Sequence, residues 1–567
     1  MLKQIQVEIE ALLAPYHIKA EGLTIPPKSE MGDLAFPCFA LAKAAGKKPN
    51  EIAKEIVDEL TKKLSATSIV KKAQDFGPYV NFFLRAEAIT EVVLKGIKKK
   101  GKEFGFNTEK KKGQVMVEYS QPNTHKEFHI GHVRNVCIGS SVVNMFRLNG
   151  YKTISANYIG DIGAHVAKCL WYIKKFQPGV PQNNRGRWLG MMYTEASRLI
   201  EEKPELKTEV AEVQRKLESG EKEWVSLWEE TKEWSMESFK KIYQTLGVEF
   251  DEWFFESDVE KPGKKMVQEL LKKGVAKKGE GGAVIVDLSQ YGLDIFLILK
   301  SDGTSLYATK DLALAQEKFK RFKIDKSIYV VDNRQRQYFN QLFKTLELMG
   351  WKKDLVFLGY DFVTLPSGAM SSRRGNVVLF DDLYNEVNKF LRNETAERHQ
   401  DWPAETIEAV AKKLSLAAIK FDMLKHPIDK MIIFDIKEAT SVEGFSGPYL
   451  LYVVARINSL AAKAKKEKLK PGNDLSGLTS EEEKKLAVMM GEAEAMISKA
   501  ISQYNPSVIT RYCFELAQAF NDFYNKFSVL SAESKELSAA RLALSLAVKQ
   551  VLENMLSVLA IDTVEEM

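Results

Sequence analysis

Two histidines flank an isoleucine and a glycine in His129-Ile130-Gly131-His132, shortly after the apolar run Val115-Met116-Val117. Imidazoles placed where a strand ends and a helix opens can hydrogen-bond the negative charge that develops on a phosphate. The glycine lets an adenine or ribose come close to the backbone. Such a pair alone could equally cap a helix or bind a metal, but metal binding wants a third ligand and orienting partners, and none is identifiable. A second cluster, Met370-Ser371-Ser372-Arg373-Arg374-Gly375, offers hydroxyls and cations suited to clamping a pyrophosphate. An isolated arginine pair reads more simply as a solvated surface loop. A third set is Tyr307 and Asp311, four residues apart where a helix begins, so that both face one way. A ring beside a carboxylate suits a planar cation, although an unplaced aspartate often makes only a surface salt bridge.

The pattern around these groups predicts the elements that hold them. A strand at 114–119, a helix from Gly131 to about Leu148 and a strand at 153–158 form a βαβ unit, which implies a parallel sheet. Strands return at 282–288, 296–300, 327–331 and 355–358. Between the halves lies a helical stretch, about 170–270, whose tryptophans (Trp171, Trp188, Trp224, Trp228, Trp234, Trp253) read as core. After Asp381 the chain is almost wholly helical. The first 106 residues mix helical patterns with a strand-like run at 79–84.

At 567 residues several domains are expected, and 45% hydrophobic with 28% charged residues is an ordinary globular composition. No apolar run reaches transmembrane length, and residues 1–14 alternate charged and apolar groups unlike a secretory leader. Four scattered cysteines (Cys38, Cys137, Cys169, Cys513) have no paired spacing, which points to a reducing, cytoplasmic setting. The net charge of +6 says little about nucleic acid, because binding requires clustered charge.

The two clusters resemble the His-Ile-Gly-His and Lys-Met-Ser-Lys-Ser motifs of class I aminoacyl-tRNA synthetases in order, separation and place on the sheet. Within that class the chain resembles the arginyl-tRNA synthetases over essentially its whole length. The matching stretches include 120–135, Asn157-Tyr158-Ile159-Gly160-Asp161, 301–311, Val331-Asp332-Asn333-Arg334-Gln335, Ser446-Gly447-Pro448-Tyr449-Leu450-Leu451-Tyr452 and the terminal Glu566-Met567. Ala369 and Ser372 stand where the general motif has its lysines. The arginine family commonly lacks the second of these and carries a lysine just before the histidine motif, a place held here by Lys126.

The resemblance implies an α/β fold class. It comprises a Rossmann-type parallel-sheet catalytic domain with a helical insertion, an α+β N-terminal domain and an all-α C-terminal anticodon-binding bundle. The expected divisions are 1–110, 111–385 (insertion about 170–270), a helical connection at 386–436, and 437–567. The implied reaction is ATP-dependent attachment of L-arginine to tRNA(Arg) through an arginyl-adenylate, with Mg2+ carried by the nucleotide and no metal held by the protein. Lys126, His129, His132, Arg373 and Arg374 are expected to stabilise the triphosphate, with Gly131, Met370, Ser371 and Ser372 also at ATP. The family pattern assigns Glu118, Gln121, Pro122, Asn123, His132, Tyr307, Asp311 and Gln335 to arginine; Glu118 could instead orient a neighbouring group. Asn81, Phe82, Tyr449, Tyr452 and Met567 match tRNA-contacting positions, although core packing competes for Phe82 and for the tyrosines. A monomer without a membrane partner is implied. A degenerate tRNA-binding copy, or another nucleotidyl-transferring enzyme, would share the histidine motif without needing Lys126, Tyr307, Asp311 and Gln335 together.

Overall fold

Val115-Met116-Val117 is buried on both faces and forms the middle of a five-stranded, all-parallel sheet. The structure is a computed structural model that describes residues 9–16, 22–24, 26–65, 69–366 and 378–567. In chain order the strands are β1 (Gln114–Glu118), β2 (Lys152–Ile159), β3 (Glu252–Phe255), β4 (Lys326–Asp332) and β5 (Asp354–Tyr360). Across the sheet they run 3-2-1-4-5. This is the doubly wound order, in which the chain reverses its direction of travel between β1 and β4. Ligands bind such sheets at the carboxyl ends of the two strands that meet there. Glu118 ends β1 directly opposite Tyr329 of β4, so the sheet itself marks the crevice.

Two expectations about the strands need correction. The stretch 170–270 is not wholly helical: its segment Glu252–Phe255 is the edge strand β3, followed by the helix Glu256–Lys272. Conversely, Val284–Val286 and Phe296–Leu299 leave the parallel sheet and form a separate antiparallel sheet with Lys277–Lys278. Four apolar residues between helices carry too little periodicity to distinguish a strand from a buried helical turn. Trp171, Trp188 and Trp234 are core residues of the insertion, as expected, whereas Trp253 belongs to β3.

The N-terminal region builds a three-stranded antiparallel sheet from Leu34–Pro37, Val70–Phe76 and Tyr79–Leu84, backed by the helix Pro49–Lys63. Gly77, at φ +59°, supplies the tight turn between the last two strands. Two of the residues expected at tRNA are buried here. Phe82 has no exposed surface and fills the core of this region. Asn81 is 1% exposed, its Nδ2 donating to the Met31 carbonyl at 2.5 Å. Successive side chains of a strand face opposite ways, so both faces of this central strand are covered, Phe82 by the core and Asn81 by the segment of Met31.

From Phe380 onward the chain is helical, with long helices at Phe380–Arg398, Ala404–Leu424, Gly447–Lys466, Ser507–Lys526 and Lys535–Val558. Ser446 caps Gly447–Lys466 by accepting from the Tyr449 N–H at 3.2 Å. Among the described residues no helix is long and apolar enough to cross a membrane.

Candidate active site

The loop leaving β1 is held in a conformation that its residues would not adopt alone. Ser120, Gln121 and His125, none of them glycine, have φ of +76°, +47° and +62°. Left-handed backbone costs of order 1 kcal/mol at each such residue and persists only where the surroundings over-determine it. They do so here through a buried polar network. Asn135 Oδ1 accepts from the Ser120 N–H at 2.5 Å, and Asn157 Oδ1 accepts from the Gln121 N–H at 3.1 Å. The Tyr243 hydroxyl meets both Ser120 Oγ (2.7 Å) and Asn157 Nδ2 (3.0 Å). His125 is fully buried, with its ring nitrogens on Thr124 Oγ1 (2.9 Å) and Thr231 Oγ1 (2.8 Å). Burial pushes its pKa down to about 3, so it is a neutral anchor that ties the loop to the insertion helix Lys222–Thr245.

The loop delivers His129 to the N-cap of the helix Ile130–Leu148. The His129 and His132 rings stack with centroids 3.8 Å apart. Burial, and then the charge of Lys126, lowers His129 to about 4; burial, His129 and Lys126 lower His132 well below its ordinary value. Both rings are therefore neutral at pH 7. His129 Nδ1 accepts from the Gly131 N–H and His132 Nδ1 from the His129 N–H, each at 3.1 Å. An accepting Nδ1 places the proton on Nε2. Each imidazole thus offers one N–H donor at a helix N-terminus, where the dipole also favours an anion.

Met370, Ser371, Ser372, Arg373 and Arg374 lie outside the described residues, but the chain on either side is anchored to the histidine segment. Before them, Arg134 of the same helix donates to the carbonyls of Asp361 (2.5 Å) and Phe362 (3.3 Å). After them, Ile130 N–H donates to Val378 O and Phe380 N–H to Phe128 O, both at 3.0 Å. Residues 361–362 and 378–380, on either side of that stretch, therefore both lie against the histidine segment and its helix. Lys126 lies on the approach, its ammonium 5.1 Å from the Tyr193 ring centre.

Beside this anion site lies an acidic pocket. The helix Tyr307–Phe322 carries Tyr307, Asp311 and Lys318 along one stripe. Lys318 is fully buried and paired with Glu118; burial opposes its charge, yet Glu118 and Tyr329 hold its pKa above the ordinary value. The other Glu118 oxygen accepts from Gln121 Nε2 at 3.0 Å. Glu256 pairs with Lys310, and Asp161 with Lys232 at 2.6 Å. Of these four acids, only Asp311 has no ion-pair partner among the described residues. Its Oδ2 accepts from the Tyr338 hydroxyl at 2.5 Å, while Oδ1 is buried without a partner. Burial raises its pKa to about 6, the Tyr338 hydrogen bond opposing the rise.

Asn123 bridges to Gly160 at the end of β2, and a Cβ on Gly160 would overlap Asn123 Oδ1. Pro122 O accepts from the Gly160 N–H at 3.1 Å. Tyr307 is 59% exposed, with the Lys310 ammonium 5.0 Å from its ring centre, and Gln335 is exposed just beyond β4. Glu118 thus joins Gln121 and Lys318, while Asp311 is held by Tyr338. Asn123, Glu256, Lys310 and Tyr307 form a second chain of contacts through Gly160. Tyr338, Tyr158, Lys318, His125 and His165 belong to this region and were not singled out by sequence. Only Lys318 left a signal, seven residues beyond Asp311 and so on its helical face.

A family model described as "tRNA synthetases class I (R), catalytic domain" matches residues 92–436. "DALR anticodon binding domain" matches 450–567, and "Arginyl tRNA synthetase N terminal domain" matches 1–84. The arginine–tRNA ligase of Bdellovibrio bacteriovorus is 39% identical over 557 residues, covering 96% of this chain and 94% of its own. The chain belongs to the arginyl-tRNA synthetases. The arginine–tRNA ligase of Clostridium perfringens is likewise 39% identical, over 96% of each chain. Among solved structures, the arginyl-tRNA synthetase of Thermus thermophilus superposes with a TM-score of 0.82 at 26% identity, covering all of both chains. That of Plasmodium falciparum has a TM-score of 0.78 at 20% identity, which speaks to fold alone. As a class I synthetase of arginine, this chain charges tRNA through an adenylate and takes ATP as substrate.

The C-terminal positions expected at tRNA are distributed differently. Tyr449 and Tyr452 are half-buried on the helix Gly447–Lys466. The Tyr449 hydroxyl accepts from Asn521 Nδ2 at 2.9 Å and that of Tyr452 from Arg456 Nη2 at 2.7 Å. Met567 helps line a cavity of about 250 Å³ with Phe390, His399 and Glu443.

Proposed function

We propose that the crevice between β1 and β4 is where ATP and L-arginine meet, with Asp311 Oδ1 taking the guanidinium. The observation that carries this reading is that buried, unpartnered oxygen in a pocket whose other acids are already matched by lysines. A permanent planar cation is the ligand that such an oxygen lacks. Tyr307 stands at the mouth to cover the side chain, and Asn123, Gln121 and Gln335 are assigned to the α-amino and carboxylate ends. The arginine carboxylate then attacks the α-phosphate, pyrophosphate leaves, and the terminal adenosine hydroxyl of tRNA(Arg) takes the arginyl group from the adenylate, releasing AMP. His129 and His132 donate Nε2–H to the phosphates as charge shifts onto the leaving group, and Lys126 adds a cation from the approach. Neutral donors fixed in advance stabilise such charge without reorganising. Arg373 and Arg374 are assigned to the same phosphates. Mg2+ enters on the nucleotide and neutralises phosphate charge.

Tyr449, Tyr452 and Met567 are assigned to tRNA(Arg), where partly exposed aromatic edges suit stacking on unpaired bases. We also infer a monomer working in the cytoplasm; four buried, unpaired cysteines accord with a reducing compartment.

Asp311→Ala tests the assignment. Truncating the partner of a desolvated charge costs about 2–5 kcal/mol, expected here in kcat/KM for arginine with KM for ATP nearly unchanged. Wild-type arginine kinetics in that variant would remove Asp311 from the pocket.

A further inference from the structure

Buried polar atoms that the described residues leave without partners cluster here: Asp311 Oδ1, the Tyr158 hydroxyl and, beside Lys318, the Tyr329 hydroxyl. After burial itself, the strongest influence on the Tyr158 hydroxyl is the charge of Asp311, ahead of Glu256 and Glu118. The Tyr158 ring also packs in one cluster with Leu314, a helical turn beyond Asp311 on the same face, so the first two orphans both lie toward that side of the helix. Buried polar groups are rarely left without a protein partner unless a function uses them. Tyr158 projects from β2 two residues before Gly160, its ring buried with Met116, Ala156 and Phe254. The Tyr338 ring is fixed edge-on against Phe296 (5.6 Å) and Phe339 (5.4 Å), and its hydroxyl donates to Asp311 Oδ2. The nearby cations, Lys310 and Lys318, are committed to Glu256 and Glu118.

Resting on the assignment of Asp311 to the guanidinium, we propose that Tyr338 and Tyr158 set the specificity of the arginine pocket. Tyr338 holds Asp311 by Oδ2 so that Oδ1 accepts from one arm of the planar fork, and the Tyr158 hydroxyl oxygen accepts from the other. A lysine ammonium is a point charge without the rigid fork. It can reach Oδ1 but leaves Tyr158 as it stands in the free protein, so arginine alone gains the second hydrogen bond.

The test is arginine-dependent ATP–pyrophosphate exchange with cognate tRNA present, on full-length Tyr158→Phe, Tyr338→Phe and Asp311→Asn. Each phenylalanine variant is expected to raise KM for arginine at least about tenfold, the scale of a hydrogen bond to a charged group. The kcat and the KM for ATP should stay near wild type, and inhibition by lysine should be unchanged in Tyr158→Phe. Removing an orphan hydroxyl should also leave the Tm of free Tyr158→Phe unchanged or raised, an effect opposite to its effect on arginine. If Asp311→Asn is defective while both phenylalanine variants use arginine normally, the tyrosine roles are overturned and the pocket stands. If Asp311→Asn itself uses arginine normally, the pocket assignment falls and this proposal with it.

Discussion

Asp311 illustrates how much a single residue's surroundings add to its sequence position. Its carboxyl, raised to about 6 chiefly by burial, must be ionised to pair with a guanidinium. The groups facing it are Lys310 and Lys318 on its own helix, and Tyr338, Glu118, Glu256, Tyr158 and Tyr329 on the elements packed against it. Below about pH 6 the free protein holds the proton, so arginine binding must release it. The expected outcome is that kcat/KM for arginine falls as pH drops through about 6, approaching tenfold per pH unit. His129 and His132 add no limb there, since both titrate well below that pH. A pH profile of arginine KM checks this, and the limb should be absent from Asp311→Asn. The sequence made Tyr307, Asp311 and the histidine pair legible because their spacing alone puts them on one face or at one helix start. It could not show Tyr338 or Tyr158, since a tyrosine in an apolar run looks like core until its hydroxyl is found against a carboxylate or against nothing.

At the scale of elements, the strained loop after β1 and the close approach of β2 position the chemistry. Gly160 is a point of close approach, because any side chain there would displace Asn123. Gly160→Ala is expected to lower kcat/KM for arginine by on the order of a hundredfold, as small misplacements of a positioned group do. Far-ultraviolet circular dichroism should stay that of wild type. Near-normal kinetics would mean that Asn123 has no part in holding the substrate. The βαβ unit carrying this loop was readable from its apolar runs and turn residues. The edge strand Glu252–Phe255 was not, and the three-stranded antiparallel sheet was indistinguishable from a continuation of the parallel one. Strand pairing is decided by long-range contacts that a local pattern does not contain.

Across the whole molecule, the N-terminal region and the C-terminal helices pack directly on one another. The helix Ala86–Lys100 lies against Glu481–Gly491 and Lys535–Val558. Asn554 Nδ2 donates to the carbonyls of Gly101 and Phe104 at 2.9 Å, and Lys484 pairs with Asp33 at 3.0 Å. Asn81 and Phe82 are buried within the N-terminal region itself, whose core is continuous with that of the bundle. A surface for tRNA must be sought on what the two regions leave uncovered, including the half-buried Tyr449 and Tyr452. The measurement that bears most directly on the molecule's task is charging of bulk tRNA by the purified protein with ATP and each of the standard amino acids in turn. The expected result is stable, ATP-dependent attachment of arginine alone. Attachment of a different amino acid, or of none while the protein still binds tRNA, would contradict the assignment of this crevice to arginine.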